Sequence, residues 1–181
     1  MGMIHLCKKT EGMMIDNVVG GKKMNILVAL DLSTASQKIL RVVETLVSGL
    51  SAKIWLFHVT EPSGGMVEYK GSLRNDEGDD RLDPDYARDQ IAQKIRNEHK
   101  VLQKEAEKLK NSRVEVTARM FEGSPTEILL HELEKLEIDM IVVGSHGHGA
   151  LYNMLIGSTC ESILKRSTCP VLVVPTHDRP Q

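Results

Sequence analysis

The densest chemistry in the chain lies between Val142 and Thr159, in the stretch VVGSHGHGALYNMLIGST. It holds four glycines and two histidines, follows an apolar run and precedes a helix-like segment. Gly144 and Gly147 let backbone approach a ligand with no Cβ in the way. After nine intervening residues comes Gly157, followed by Ser158. Ser158 and Glu161 stand at capping-box spacing, so Ser158 is expected to cap a helix. The free N–H groups of such a first turn, aided by the helix dipole, make an anion site. The hydroxyls of Ser158 and Thr159 can add hydrogen bonds to phosphate oxygens. A plain loop before a well-capped helix uses the same residues without any ligand. On local chemistry alone both readings stand.

Other chemistries are weaker. His146 and His148 suggest a metal pair, but a site needs a third and fourth ligand, and no cysteine or acidic residue is close in sequence. The expectation is no metal site, with loop histidines that hydrogen-bond backbone or ligand. Cys160 falls at the expected helix start, where the dipole favours thiolate, yet a buried, inert thiol is the expectation. Ser33 and Ser36 follow Asp31, but no histidine is placed to activate them, so they read as helix-start residues. No Gly-Lys-Ser or Gly-Lys-Thr occurs, which excludes a Walker A loop, and GHGALY lacks the third glycine of a dinucleotide fingerprint. Phosphate would then rest on backbone N–H groups and hydroxyls, with a metal ion sharing the charge. HGHG is not the His-x-Gly-His signature of nucleotidyl transfer.

These residues need a scaffold. Asn25–Leu30, Lys53–Val59, Asp139–Gly144 and Cys169–Pro175 are short apolar runs, read as buried strands. Arg113–Met120 alternates and is expected at a sheet edge. Between them lie helical periods. Ile39, Val42, Val43, Leu46 and Val47 make one face, with Ser33 as cap and Gly49 as stop. A long helix opens at Asp83-Pro84, with Ile91, Ile95, Leu102, Ala106 and Leu109 as its buried stripe. Ser124, Pro125 and Glu127 mark a third start by a capping box, and Ser158–Arg166 forms the last helix. Strands alternating with helices imply a parallel sheet covered on both faces, in a flavodoxin-like or nucleotide-binding arrangement. Ligands of such sheets bind beyond the carboxyl ends of the strands, where strand order reverses. Asp31, Val59 and the glycine stretch all fall at such ends.

Composition agrees. Aromatics are only 3% of 181 residues, so the core must be aliphatic, as in a buried parallel sheet. The net charge of −2, with no basic block, argues against a nucleic-acid surface. Three cysteines without paired spacing suggest a reducing compartment. No run approaches the ~18 apolar residues of a membrane span, and the first residues fit neither a signal peptide nor a myristoylation site, with Leu6 where Ser or Thr is needed. A cytoplasmic protein is expected. Residues 1–23 show no period and read as a flexible extension, 24–176 as one domain, and 177–181 as a tail. Residues 60–83, rich in Gly and Asp, form a long loop whose acidic spacing is not that of an EF-hand.

Taken together, NILVALDLSTAS, KIWLFHV, VTARMFEGSPTEIL, DMIVVGSHGHGALYNMLIGST and CPVLVVP resemble the universal stress protein family, in its ATP-binding branch, over about residues 24–175. The most specific element is Gly-x2-Gly-x9-Gly-Ser/Thr, here Gly144, Gly147, Gly157 and Ser158. The resemblance implies a five-stranded parallel sheet of order 3-2-1-4-5 flanked by four helices. It implies that ATP, with Mg2+ or Mn2+, lies along the strand ends. Asp31 and Val59 would meet the adenine and ribose end, with Ala29 nearby. Val143 and Gly144 would border the ribose, and Gly147, Gly157, Ser158 and Thr159 would hold the phosphates. It further implies a homodimer through Val171–Val174, a role in stress signalling, and turnover that is slow or absent. A weak ATPase, a self-phosphorylating enzyme and a nucleotide-free dimeric scaffold are the alternatives. Cys160 departs from the small hydroxyl or alanine common in the family, and Ala29 from a common proline.

Overall fold

The computed structural model describes residues 23–60, 84–111, 113–145 and 156–176. Among them the chain runs β1 (Met24–Leu30), α1 (Ser36–Leu46), β2 (Ala52–Thr60), α2 (Pro84–Leu109), β3 (Val114–Glu122), α3 (Pro125–Lys135), β4 (Met140–Gly144), α4 (Ser158–Arg166) and β5 (Val171–Val174). All four strand pairings are parallel and the order is β3-β2-β1-β4-β5. The expected class and strand order are therefore the observed ones. Strand order reverses between β1 and β4, the switch point of such a sheet.

The reason is burial on both faces. Ile26, Val28 and Leu30 point to one side with Ile54 and Leu56, under Ile39, Leu40 and Val43 of α1 and Leu102, Ala106 and Leu109 of α2. Leu27, Trp55, Phe57, Ile141 and Val143 point to the other, under Leu129 and Leu133 of α3 and Cys160 and Ile163 of α4. Period-2 strands thus supply two cores, and period-3.6 helices close them. The edge strand β3 is less covered, and there Trp55 is flanked by cations, with Lys53 Nζ 4.3 Å and the Arg119 guanidinium 4.8 Å from the ring centroid.

Three local expectations are corrected. The stripe on α2 is buried only in its C-terminal half: Leu102, Ala106 and Leu109 are buried, whereas Ile95 is 44% exposed. A 26-residue helix is about 39 Å long at 1.5 Å per residue, longer than the roughly 30 Å of nine-residue β3. It cannot be covered along its whole length. The capping box at α3 does not form. Ser124 is the N-cap by backbone, without a side-chain bond, and Glu127 instead pairs bidentately with Arg166 of α4 at 2.5 and 3.0 Å. That contact holds the Glu127 carboxyl below its usual range. Helix α1 starts at Ser36, not Ser33. Ser33 caps the turn that leads in, its Oγ accepting from the Ala35 N–H at 3.2 Å. After the helix, Gly49 takes φ +84, the left-handed conformation that glycine adopts without cost.

Candidate nucleotide site at the strand ends

The candidate residues converge where the sheet reverses. Parallel register pairs Val28 with Val142, which carries Ala29 and Val143, the next residue of each strand, to the same level. Gly144 is opposite Val174 of β5, and Val59 is opposite Phe121 near the end of β2. Asp31 leaves β1 directly into a turn. Its Oδ1 accepts from the Ser33 N–H (3.0 Å), the Ser33 hydroxyl (2.7 Å) and the Ser36 hydroxyl (2.9 Å). The next residue, Leu32, has φ 57, a strained value for a non-glycine. Three donors on one carboxylate oxygen hold that sharp reversal in place, and backbone strain of this kind tends to collect at functional sites.

The base of the glycine stretch is closed by bonds that no local pattern announces. The Gly157 N–H donates to the Ser145 carbonyl at 2.7 Å, joining the end of β4 to the start of α4. The Ser145 N–H donates to the Val174 carbonyl at 2.8 Å, and the Thr176 N–H to Ser145 Oγ at 3.1 Å. Lys38 of α1 donates to the Thr176 carbonyl at 3.1 Å. Ser145, Thr176 and Lys38 are thus site-framing residues that sequence reasoning missed. Their partners lie far away in sequence, so nothing local could signal them. Gly147, His146 and His148 lie outside the described residues.

At α4 the expectation is partly overturned. Gly157, not Ser158, is the N-cap, at φ −70 and ψ 152, and the helix has no side-chain cap. The Ser158–Glu161 capping box is absent because the Glu161 carboxylate pairs with Lys165 at 2.6 Å, one helical turn on. The consequence favours ligand binding. Ser158 is exposed, and among the described residues no side chain caps the first-turn donors. Gly157 has a φ that any residue adopts, so glycine there serves close approach and not backbone freedom.

Cys160 resolves in favour of the inert thiol. It is 3% exposed, and burial pushes its pKa up to about 11 despite the helix start. Desolvation of the thiolate outweighs the dipole. Cys160 should therefore react with iodoacetamide at pH 7.5 at least about 100-fold more slowly than an unperturbed thiol, from the two-unit shift alone. Peptide-resolved mass spectrometry would follow it, and unfolding in guanidinium should abolish the protection. Equal rates before and after unfolding would refute the burial. Among the described residues no group of three or more His, Cys, Asp or Glu is placed to hold a metal ion, and no helix is long and apolar enough to cross a membrane.

Comparison with known proteins agrees with this architecture. The sequence model described as universal stress protein family matches residues 23–175. Universal stress protein YxiE of Bacillus subtilis is 32% identical over 92 residues, a stretch covering 50% of this chain and 62% of that protein. The chain thus spans less than two thirds of that curated relative. The solved structure of protein MJ0577 of Methanocaldococcus jannaschii superposes with a TM-score of 0.64 at 23% identity, covering 86% of this chain and 98% of the other. A universal stress protein solved in complex with cAMP gives a TM-score of 0.57 at 18% identity, over 86% and 98%. At these identities the structural likenesses carry the fold.

Proposed function

Since the chain belongs to the universal stress protein family, we propose that it is an ATP-binding, homodimeric signalling module of the cytoplasm, with slow or no turnover. The observation that carries the reading is the start of α4. A helix that no described side chain caps, opening after β4 beside the switch point, offers its first-turn N–H groups and the Ser158 hydroxyl to an anion. In this reading Gly147, Gly157, Ser158 and Thr159 hold the phosphates. Val143 and Gly144 border the ribose, and Ala29, Asp31 and Val59 line the adenine end. Mg2+ or Mn2+ rides on the phosphates. Residues 24–176 act as one nucleotide-binding unit, with 1–23 and 177–181 as appendages. The dimer forms through Val171–Val174, because β5 is an apolar edge strand whose outer side pairs with no described strand.

An enzymatic reading, with Asp31 positioning water and Ser158 or Thr159 as phosphoryl acceptor, ranks lower. Oδ1 of Asp31 is committed to three donors that hold a turn, and no separate general base stands out among the described residues.

The test is direct. Purified protein is denatured, released nucleotide is identified by chromatography, and ATP with magnesium is then added and ADP followed. Bound or bindable ATP with little ADP is the expected result. Absence of both binding and carry-over would sink the proposal. Gly157→Val places a branched side chain over the first-turn donors, while its φ and ψ stay open to valine. It should weaken ATP binding at least about tenfold, or about 1.4 kcal/mol, with an unchanged far-ultraviolet spectrum. Undiminished affinity would move the phosphates elsewhere.

A further inference from the structure

Between β2 and α2, buried His58 faces half-buried Glu98, a pair used by nothing described so far. His58 is 6% exposed and is the register partner of Leu30, the last residue of β1. Its Nδ1 lies 2.8 Å from the Leu30 carbonyl oxygen. A carbonyl only accepts, so Nδ1 carries the proton and donates. The other nitrogen, Nε2, lies 3.8 Å from Glu98 Oε2. Both of these atoms are buried and neither has a hydrogen-bond partner. With a single ring proton, an imidazole lone pair would face a carboxylate oxygen, two acceptors buried against each other. A water donating to both would hold them about 4.4 Å apart, given hydrogen bonds near 2.8 Å, so the observed spacing suits a direct charge pair. That pair requires a second proton.

We propose that His58 and Glu98 form a proton-dependent clamp that fastens α2 to β2 and, through the Leu30 carbonyl, steadies the β1–β2 end of the candidate site. The groups around it are few. From β1 the ring meets the Leu30 carbonyl, and Asp31 follows at the strand end. From β3 its register partner is Met120, an apolar neighbour on the same face. From α2 it meets Glu98, whose Oε1 lies 3.8 Å from Lys94 Nζ. Lys94 is largely exposed. The sign follows. The paired, protonated state belongs to the low-pH side. Withdrawing the second proton as pH rises leaves a bare Nε2 against a carboxylate, and the contact between α2 and β2 loosens.

The test follows the His58 ring nitrogens by 15N NMR from pH 5.5 to 9, alongside the backbone amides of 94–102, without nucleotide. The expected result is one shared midpoint: Nε2 loses its proton as the α2 amides shift. In Glu98→Gln the carboxamide donates to a neutral ring, so the amide shift should fall at least threefold. His58→Asn, which keeps a donor toward Leu30, should keep the strand and lose the pH response. If Nε2 deprotonates while the α2 amides stay still, or if Glu98→Gln responds like the parent, the clamp is overturned. The link to the site rests on the nucleotide reading above. There, ATP affinity should fall at least threefold across the midpoint that the NMR titration finds in the parent and stay level in Glu98→Gln. Equal losses in both would overturn the link, whereas no ATP binding at any pH would refute the nucleotide reading and leave the NMR result to judge the clamp.

Discussion

Phe57→Ala is expected to lower the unfolding free energy by about 3–5 kcal/mol, the range for deleting a buried phenyl ring. Phe57 is fully buried on β2, and its backbone pairs with Ala29 on one side and Arg119 on the other. Its ring meets Phe121 at 4.8 Å between centroids, tilted by 56°. It belongs to the core that α3 and α4 close, with Leu129, Leu133 and Ile163. At roughly 2–4 °C per kcal/mol for a chain of this size, the thermal midpoint should drop by on the order of 10 °C. Phe57→Leu, which keeps most of the volume, should cost less than about 1.5 kcal/mol. Denaturant titration of the three proteins settles it, and a loss below about 1.5 kcal/mol for the alanine variant would contradict the packing described.

Asp31→Ala is expected to have the largest effect on the site. It removes the acceptor of three donors at once, one of them the hydroxyl of buried Ser36. Losing a charged acceptor typically costs about 1.5–3 kcal/mol. The left-handed turn at Leu32 would also lose its tether. ATP affinity should fall at least about tenfold, or about 1.4 kcal/mol. Asp31→Asn separates the two effects. Its amide oxygen can still take the serine donors, so stability should largely return, while the charge at the site does not. Calorimetric titration and thermal melts of both variants are the measurements. Parent-like ATP binding in Asp31→Ala would place the nucleotide away from the end of β1. Intact binding with lost ADP formation would promote the enzymatic reading.

The legible features share one physical cause, which is that they repeat. Asn25–Leu30 and Asp139–Gly144 are strands because continuous apolar runs suit burial on both faces. Val43 and Leu102 lie in the core because they recur with their helix period. The glycine and serine spacing around Ser158 was legible as a resemblance, and it points to the strand ends where the structure gathers Asp31, Val143 and Gly144. Ile95 shows the limit. Its spacing matches the stripe, but burial depends on how far the sheet reaches, which no local window contains.

Amino-acid order by itself determined the strands, the helices, their parallel arrangement and the strand ends where the candidate residues fall. Tertiary structure alone decided which donor meets which acceptor. Glu127 turned from its own helix start to Arg166, 39 residues away, and Ser158 was left without a cap to make. Gly157 found the Ser145 carbonyl, burial silenced Cys160, and His58 faced Glu98. Hydrophobic pattern is a property of one segment and can be read there. A hydrogen bond or ion pair is short-ranged and directional, so its partner exists only once distant segments have packed.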